Sequence, residues 1–325
     1  MISMVATALV DAKALRRQRY LNRLQSGILL AGLFALAAVT GFLFAGTDGL
    51  LIAAVIAAGF MLVNPMSGEI PFRYIYGAVP LTPASAPQLA AMVGELARRA
   101  ELERAPTLFL IPTRLLQAMA AGSREAPSVA VTSGLLSELS SRELAAVLAH
   151  EITHIRHGDM FVMRLAAAAG SMTHAMSTAG IFLLIAYFPV LWSTGSALSP
   201  AAIALLLAAP MVSDLLQLSL SRRREFLADA GAVELIGDPL SLARALERIE
   251  DLQGDDWERF TARGGRWLRW FRTHPTTEER IERLARLAAA PRPGLPDWSW
   301  SANRRDLPQV GEQALGRRLV RRALL

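Results

Sequence analysis

Three stretches of the chain run without a formal charge for longer than a soluble helix usually does. Leu24 to Thr47 is 24 residues, Gly49 to Gly68 is 20, and Leu165 to Ser213 is 49. A helix needs about 20 predominantly apolar residues to cross the hydrocarbon of a bilayer. The first two runs therefore predict a hairpin turning around Thr47-Asp48-Gly49, although Asn64-Pro65 limits the most apolar part of its second arm to Leu50–Val63. The third run predicts two spans of about 20–25 residues, divided at Trp192-Ser193-Thr194-Gly195-Ser196 and Pro200. Tyr187 and Trp192 flank that turn, where interfacial aromatics belong. A signal peptide is also basic and then apolar. Here the first run is longer than a signal core and a second follows at once, so the spans are expected to be retained. The plainer alternative for the third run is a long buried hairpin of a soluble protein.

Four spans put both termini on one side. Lys13, Arg16, Arg17, Arg19 and Arg23 precede the first span and Arg222, Arg223 and Arg224 follow the last, whereas the two opposite turns hold only Asp48. Basic flanks stay cytoplasmic. The expected order is a basic cytoplasmic N-terminus (1–23), a transmembrane hairpin (24–68), a cytoplasmic catalytic part (69–164), a second hairpin (165–216), a second catalytic part (217–290) and a Pro-rich tail (291–325).

Between the hairpins the pattern changes to mixed α/β. Ser85 to Arg104 has helical apolar spacing, while Thr107–Ile111 and Ser128–Thr132 are short β-branched or apolar strand candidates. Ser140-Ser141-Arg142-Glu143 fits a capping box. Beyond it Leu144, Val147, Leu148, Ile152 and Ile155 form one apolar stripe, which predicts a helix.

Composition changes this picture little. The apolar set makes up 53% of residues, the net charge is +6 and there is no cysteine. Disulfides and thiolate zinc sites are thereby excluded, leaving His and carboxylates as metal ligands. Basic chains often bind nucleic acid, but these charges cluster beside apolar runs and only Lys13 is a lysine. The balance reads as membrane topology, with the lipid bilayer as partner and no nucleic acid.

The predicted helix carries His150-Glu151-Ile152-Thr153-His154. Histidines one helical turn apart project from one face toward a common ion. Glu151 is placed to reach a water at that ion, take its proton and pass it to a leaving amine, while zinc acidifies the water and polarises a carbonyl. A third ligand is required, and two candidates stand nearby. His157 is seven residues from His150, but the metzincin pattern would require glycine at that place and histidine where Met160 stands. Glu225 is the other, with Asp229 four residues on and so on the same helical face. His154 lies 11 residues before Leu165, and Glu225 lies 12 residues after Ser213. If both helices continue out of the membrane, the two return to a common height of roughly 16–18 Å. Asp229 would then orient a ligand histidine through its free ring nitrogen. The plainer reading of Glu225 and Asp229 is a juxtamembrane helix salt-bridged to Arg222–Arg224.

Ala146-Val147-Leu148-Ala149-His150-Glu151-Ile152-Thr153-His154, Gly158-Asp159-Met160, Ser221 to Asp229, and Thr273-His274-Pro275 followed by Arg280-Ile281 together resemble the HtpX-type heat-shock membrane proteases, relatives of the CAAX prenyl proteases. The resemblance covers roughly residues 20 to 290. It implies one zinc ion per chain on His150, His154 and Glu225, with Glu151 catalytic. It implies supporting roles near the metal for Asp229, Arg280 and His274, the last as a stabiliser of a developing oxyanion. A His-Pro before a helix is equally a capped turn.

The fold expected is an α-rich integral membrane protein with about four transmembrane helices and a cytoplasmic, mainly helical α+β, zincin-like (gluzincin) catalytic domain. The expected activity is endopeptidase cleavage of membrane or misfolded proteins at the bacterial inner membrane, with the active site facing the cytoplasm. A catalytically silent membrane scaffold or chaperone with a vestigial zinc site is the rival. In one respect the chain departs from the family. The family's Asn-Ala-Phe-Ala-like strand edge, where substrate backbone is thought to pair, is replaced by Gln117-Ala118-Met119-Ala120. Two further segments have expectations of their own. His174 is expected to be neutral and bonded to a nearby Ser or backbone carbonyl, and the Arg- and Trp-rich stretch Arg266–Arg272 is expected to rest on anionic lipid or on the catalytic domain.

Overall fold

The computed structural model describes residues 2–63, 72–73, 76–194, 200–264 and 276–287 of the 325. His274, the stretch Arg266–Arg272 and the tail after Pro291 lie outside the described residues. In chain order the elements are α1 (Ile2–Val63), β1 (Val79–Leu81), α2 (Pro87–Arg99), β2 (Thr107–Ile111), β3 (Ala118–Gly122), β4 (Pro127–Thr132), α3 (Ser133–Glu138), α4 (Ser141–His157), α5 (Asp159–Thr194), α6 (Pro200–Ile236), α7 (Pro239–Gly264) and α8 (Thr277–Leu287). Two compact units share them. One holds the described parts of 1–65, 158–228 and 264–276, and the other those of 66–157, 229–263 and 277 onward. Helix α6 runs without a break through the residue at which they divide.

The first unit is helical and apolar. Helix α1 breaks at Ala45 and Gly46, where Gly46 takes φ 59° and ψ −136°. That left-handed conformation suits glycine, and it places the turn just before the expected Thr47-Asp48-Gly49. Backbone packs on backbone across the bend, since a Cβ on Gly49 would sit 1.8 Å from the Gly41 carbonyl oxygen. Among the described residues three helices are long and apolar enough to cross a membrane: Leu24–Leu43, Asp159–Val190 and Ile203–Ile236. The arm after the bend contributes only a short apolar helix, Ala45–Val55. Leu33 packs with Ala166, Ala169 and Leu220, which joins α1, α5 and α6.

In this unit the expectation for His174 is corrected. Its Nε2 lies 2.9 Å from Oδ1 of Asp214, and both side chains are part-exposed. Asp214 is the first residue past the charge-free run, so α6 carries a carboxylate to the level of His174 on α5. A titratable residue in an apolar helix needs a partner, and here the partner is acidic rather than a hydroxyl or carbonyl.

The second unit is built on a four-stranded sheet of order β1-β2-β4-β3. Strands β2 and β4 are parallel, pairing Thr107 with Ser128 through Ile111 with Thr132. On the outer side β3 runs antiparallel to β4, from Ala118 opposite Val131 to Gly122 opposite Pro127. Strand β3 is thus an edge, and it holds three of the four residues Gln117-Ala118-Met119-Ala120. Helix α4 packs on β3, β4 and α2. Its stripe of Leu144, Val147, Leu148, Ile152 and Ile155 is buried, as the periodicity predicts, together with Ala145, Ala146 and Ala149. These alanines fill the remaining core-facing positions without bulk, so the helix sits close to the sheet.

Local bonds fix the ends of the helices that carry the site. The capping box forms, with the Ser140 N–H donating to Glu143 Oε2 at 2.8 Å and the Ser140 hydroxyl to the same oxygen at 2.7 Å. Glu143→Ala is expected to lower stability by about 1 kcal/mol, seen as a lower thermal midpoint in detergent with metal content unchanged. At the far end of α6 the Arg99 guanidinium donates to the Leu235 carbonyl at 2.9 Å, satisfying an end-of-helix acceptor. Glu95 holds Arg98 and Arg99, and these two cations bring its carboxyl down to about 2. The contribution of this bracket to stability is therefore full above the ordinary carboxylate value of 4.5 and is lost progressively as pH falls from there through about 2.

Candidate metal centre

His150 and His154 stand one turn apart on α4, both nearly buried at 7% and 9% exposure. Their Nε2 atoms approach to 3.1 Å and the rings meet edge to face. Helical spacing alone brings two imidazoles to one face. What aims them is the environment of the opposite ring nitrogen. His150 Nδ1 lies 2.9 Å from Asp229 Oδ1. A carboxylate there accepts a hydrogen bond from Nδ1–H, which holds the proton on Nδ1 and leaves the Nε2 lone pair for a metal. Arg280 Nη2, 3.4 Å from the same Nδ1, is a donor facing a donor and adds charge rather than a bond.

Asp229 is itself held. Arg280 donates Nε to Oδ2 at 2.8 Å and Nη2 to Oδ1 at 2.6 Å, a two-pronged fork from α8 onto α6. Both groups are buried, Asp229 at 4% and Arg280 at 9% exposure. A carboxylate so far from water is tolerated only with such a partner. The fork leaves it one oxygen edge for His150, so guanidinium, carboxylate and imidazole form a relay that orients a single ring.

Small residues let α6 come this close to α4. A Cβ on Gly231 would meet Thr153 Cγ2 at 2.3 Å, and Thr153 folds its hydroxyl back onto the Ala149 carbonyl at 2.8 Å. Gly231→Val is expected to cost about 1–3 kcal/mol through overpacking and to weaken metal binding by lifting Asp229 from His150. Thermal midpoints and metal titration of the same sample would check both parts.

Glu225 is one turn before Asp229 on α6 and 7% exposed. Each of His150, His154 and Glu225 offers one ligand atom, and these atoms lie within 4.8 Å of one another. His157, the other candidate from the sequence, is not in that group. Two neutral imidazoles and a carboxylate, with no thiolate in the chain, suit a divalent ion of intermediate softness such as zinc, and the Asp229–His150 contact presents the required nitrogen. The donor set therefore fits the implied ion. Glu151, between the histidines in sequence, is part-exposed beside them, as an access route for water would require. Asp159 and Arg224, the latter from the basic flank after the last span, also come together here in a buried ion pair, Oδ1 to Nη1 at 2.6 Å.

The chain is similar to known proteins. Residues 83–288 match Peptidase family M48. A curated relative named Protease HtpX homolog, from Methylibium petroleiphilum, is 36% identical over 231 residues, covering 70% of this chain and 80% of the relative. The protein of the same name from Acidiphilium cryptum is 37% identical over 247 residues, covering 73% and 83%. That from Burkholderia mallei is 35% identical over 230 residues, covering 70% and 79%. A crystal structure of S. mikatae Ste24p aligns with a TM-score of 0.45 and 20% identity, covering 84% of this chain and 65% of that one, just under two thirds of its length. The sequence matches, the apolar helices and the His-His-Glu group define a membrane metalloprotease. The chain belongs to Peptidase family M48.

Proposed function

We propose that the chain is a zinc-dependent endopeptidase that binds one zinc ion through His150, His154 and Glu225 and uses Glu151 as its general base. The observation that carries this reading is the convergence of those three ligand atoms, with Asp229 occupying the far nitrogen of His150. Zinc, when bound, supplies Lewis-acid polarisation of the scissile carbonyl and acidifies a water. The rest falls to the protein. Glu151 takes the proton of the attacking water and returns it to the leaving amine. Asp229 and Arg280 keep His150 in one tautomer and one rotamer. His274, which lies outside the described residues, is assigned by resemblance to oxyanion stabilisation.

Substrates in this reading are membrane or misfolded proteins whose backbone pairs, in extended form, with the free edge of β3. Main-chain pairing tolerates the replaced strand-edge residues, and the edge position of β3 supports it. Four spans, with the short arm Ala45–Val55 as the second, would place both termini and the metal centre in the cytoplasm. The support is the basic flanks Lys13 to Arg23 and Arg222 to Arg224. The curated relatives' names support placement in the bacterial inner membrane.

The test is zinc content and casein turnover of detergent-purified protein, wild type beside Glu225→Ala. About one zinc per chain in wild type and little in Glu225→Ala is expected. Full zinc in Glu225→Ala would remove Glu225 from the ligand set. Zinc without turnover in wild type would favour the silent scaffold.

A further inference from the structure

We propose that the Asp159–Arg224 ion pair is a positioning device: it sets the rotation and height of Glu225 on α6 and thereby the affinity of the site for zinc. The inference rests on the reading of Glu225 as a metal ligand. Both partners are almost fully buried, Asp159 at 1% and Arg224 at 7% exposure, and they meet across 65 residues of sequence. Stability is a poor reason for such a pair, because replacing both charges by apolar groups of similar volume is often neutral or stabilising. Nor does the pair complete a hydrogen-bond network on the arginine side. Arg224 Nε is buried without a partner among the described residues, so the guanidinium gives up one donor to reach Asp159 with another.

Its placement supplies the reason. Arg224 is the residue immediately before Glu225, and Asp159 opens α5 directly after Gly158, whose φ of +68° ends the helix of His150 and His154. The anchor is thus five residues along the chain from one ligand, and what it anchors adjoins another. Four residues further on, Asp229 is held by Arg280. Glu225 lies between these two fixed points on one helix. A helix free to turn by 20° would carry a carboxylate some 7 Å from the axis through roughly 2 Å. Zinc–oxygen bonds of about 2.0–2.2 Å tolerate only about 0.2 Å. One clamp leaves the helix free to pivot, and two on different faces do not.

The experiment uses the full chain in detergent and two readouts: zinc dissociation constant by competition with a chromophoric chelator, and thermal unfolding of the zinc-free protein. Arg224→Met and Asp159→Leu are made singly and together, beside Glu225→Ala and Asp159→Asn. Each single apolar variant strands a buried charge and should lose both stability and zinc affinity. The double variant is decisive. It should recover the zinc-free melting midpoint yet bind zinc about 10–100-fold more weakly than wild type. Asp159→Asn, which keeps an acceptor for Arg224 in the same shape, should retain most of the affinity and remains informative if the double variant does not accumulate. A double variant with both wild-type stability and wild-type zinc affinity would overturn the inference, as would Asp159→Asn binding zinc no better than Asp159→Leu. Glu225→Ala with undiminished affinity would instead sink the ligand assignment. Loss of zinc in Glu225→Ala alone, with the double variant unaffected, would sink only the positioning role.

Discussion

Glu151→Gln is expected to purify with the zinc content of wild type and to hydrolyse casein about 10²–10⁴-fold more slowly. The substitution keeps the size and hydrogen-bonding shape of the side chain but removes its basicity. It leaves His150, His154 and Glu225, the three groups whose ligand atoms converge, and it does not touch the Asp229–Arg280 fork. Metal binding and proton transfer are therefore separated at one atom. Turnover close to that of wild type would show that another group takes the proton. Loss of zinc would mean that Glu151 binds the ion directly. Under the proposed ligand set, substitution of either histidine is expected to remove both properties together and so would not separate them.

The second large effect is on stability. Arg280→Met removes the cation that forks onto Asp229 and leaves, among the described residues, a carboxylate at 4% exposure beside the imidazole of His150. Breaking a buried pair from one side costs about 3–5 kcal/mol, against a total of about 5–15 kcal/mol for a folded domain. Without the fork, Asp229 also loses the partner that fixes its orientation toward His150. Arg280→Met should unfold at a markedly lower temperature than wild type and bind zinc more weakly. Asp229→Asn with Arg280→Met, which removes both charges, should regain much of the melting temperature without regaining the affinity. Equal midpoints for wild type and Arg280→Met would show that the ion pair is solvated in the working protein and that the relay does not orient His150.

Local patterns proved readable and long-range pairings did not. The capping box and the stripe from Leu144 to Ile155 predict α4 because a helix imposes its period on neighbours three and four residues apart. Strand β2 matches its expected Thr107–Ile111, and β4 extends Ser128–Thr132 by one residue. The expected helix Ser85–Arg104 forms only as Pro87–Arg99, since Glu101 takes a positive φ that ends it. Strand β3 has the composition of a helix, Ala-Met-Ala-Ala-Gly, and is extended because β4 offers it a pairing edge. Glu225 does meet the two histidines, but the premise of one helix continuing from His154 into the apolar run is corrected, because Gly158 ends that helix before α5 begins. His174–Asp214 and Asp159–Arg224 were not legible. Charges 40 and 65 residues apart meet through the way whole helices pack, and no window of sequence records that.

The order of the chain has one more consequence. The histidines of the candidate centre are synthesised first, and Glu225 follows roughly 70 residues later, with Arg280 about 55 beyond that. At about 5–20 residues per second, roughly 4–14 s of translation separates the first ligands from the last, and the α5–α6 hairpin must be made in between. A nascent chain therefore carries its histidines without a complete catalytic centre. Under the proposed ligand set, the collinearity of gene and chain by itself keeps the centre incomplete for that interval.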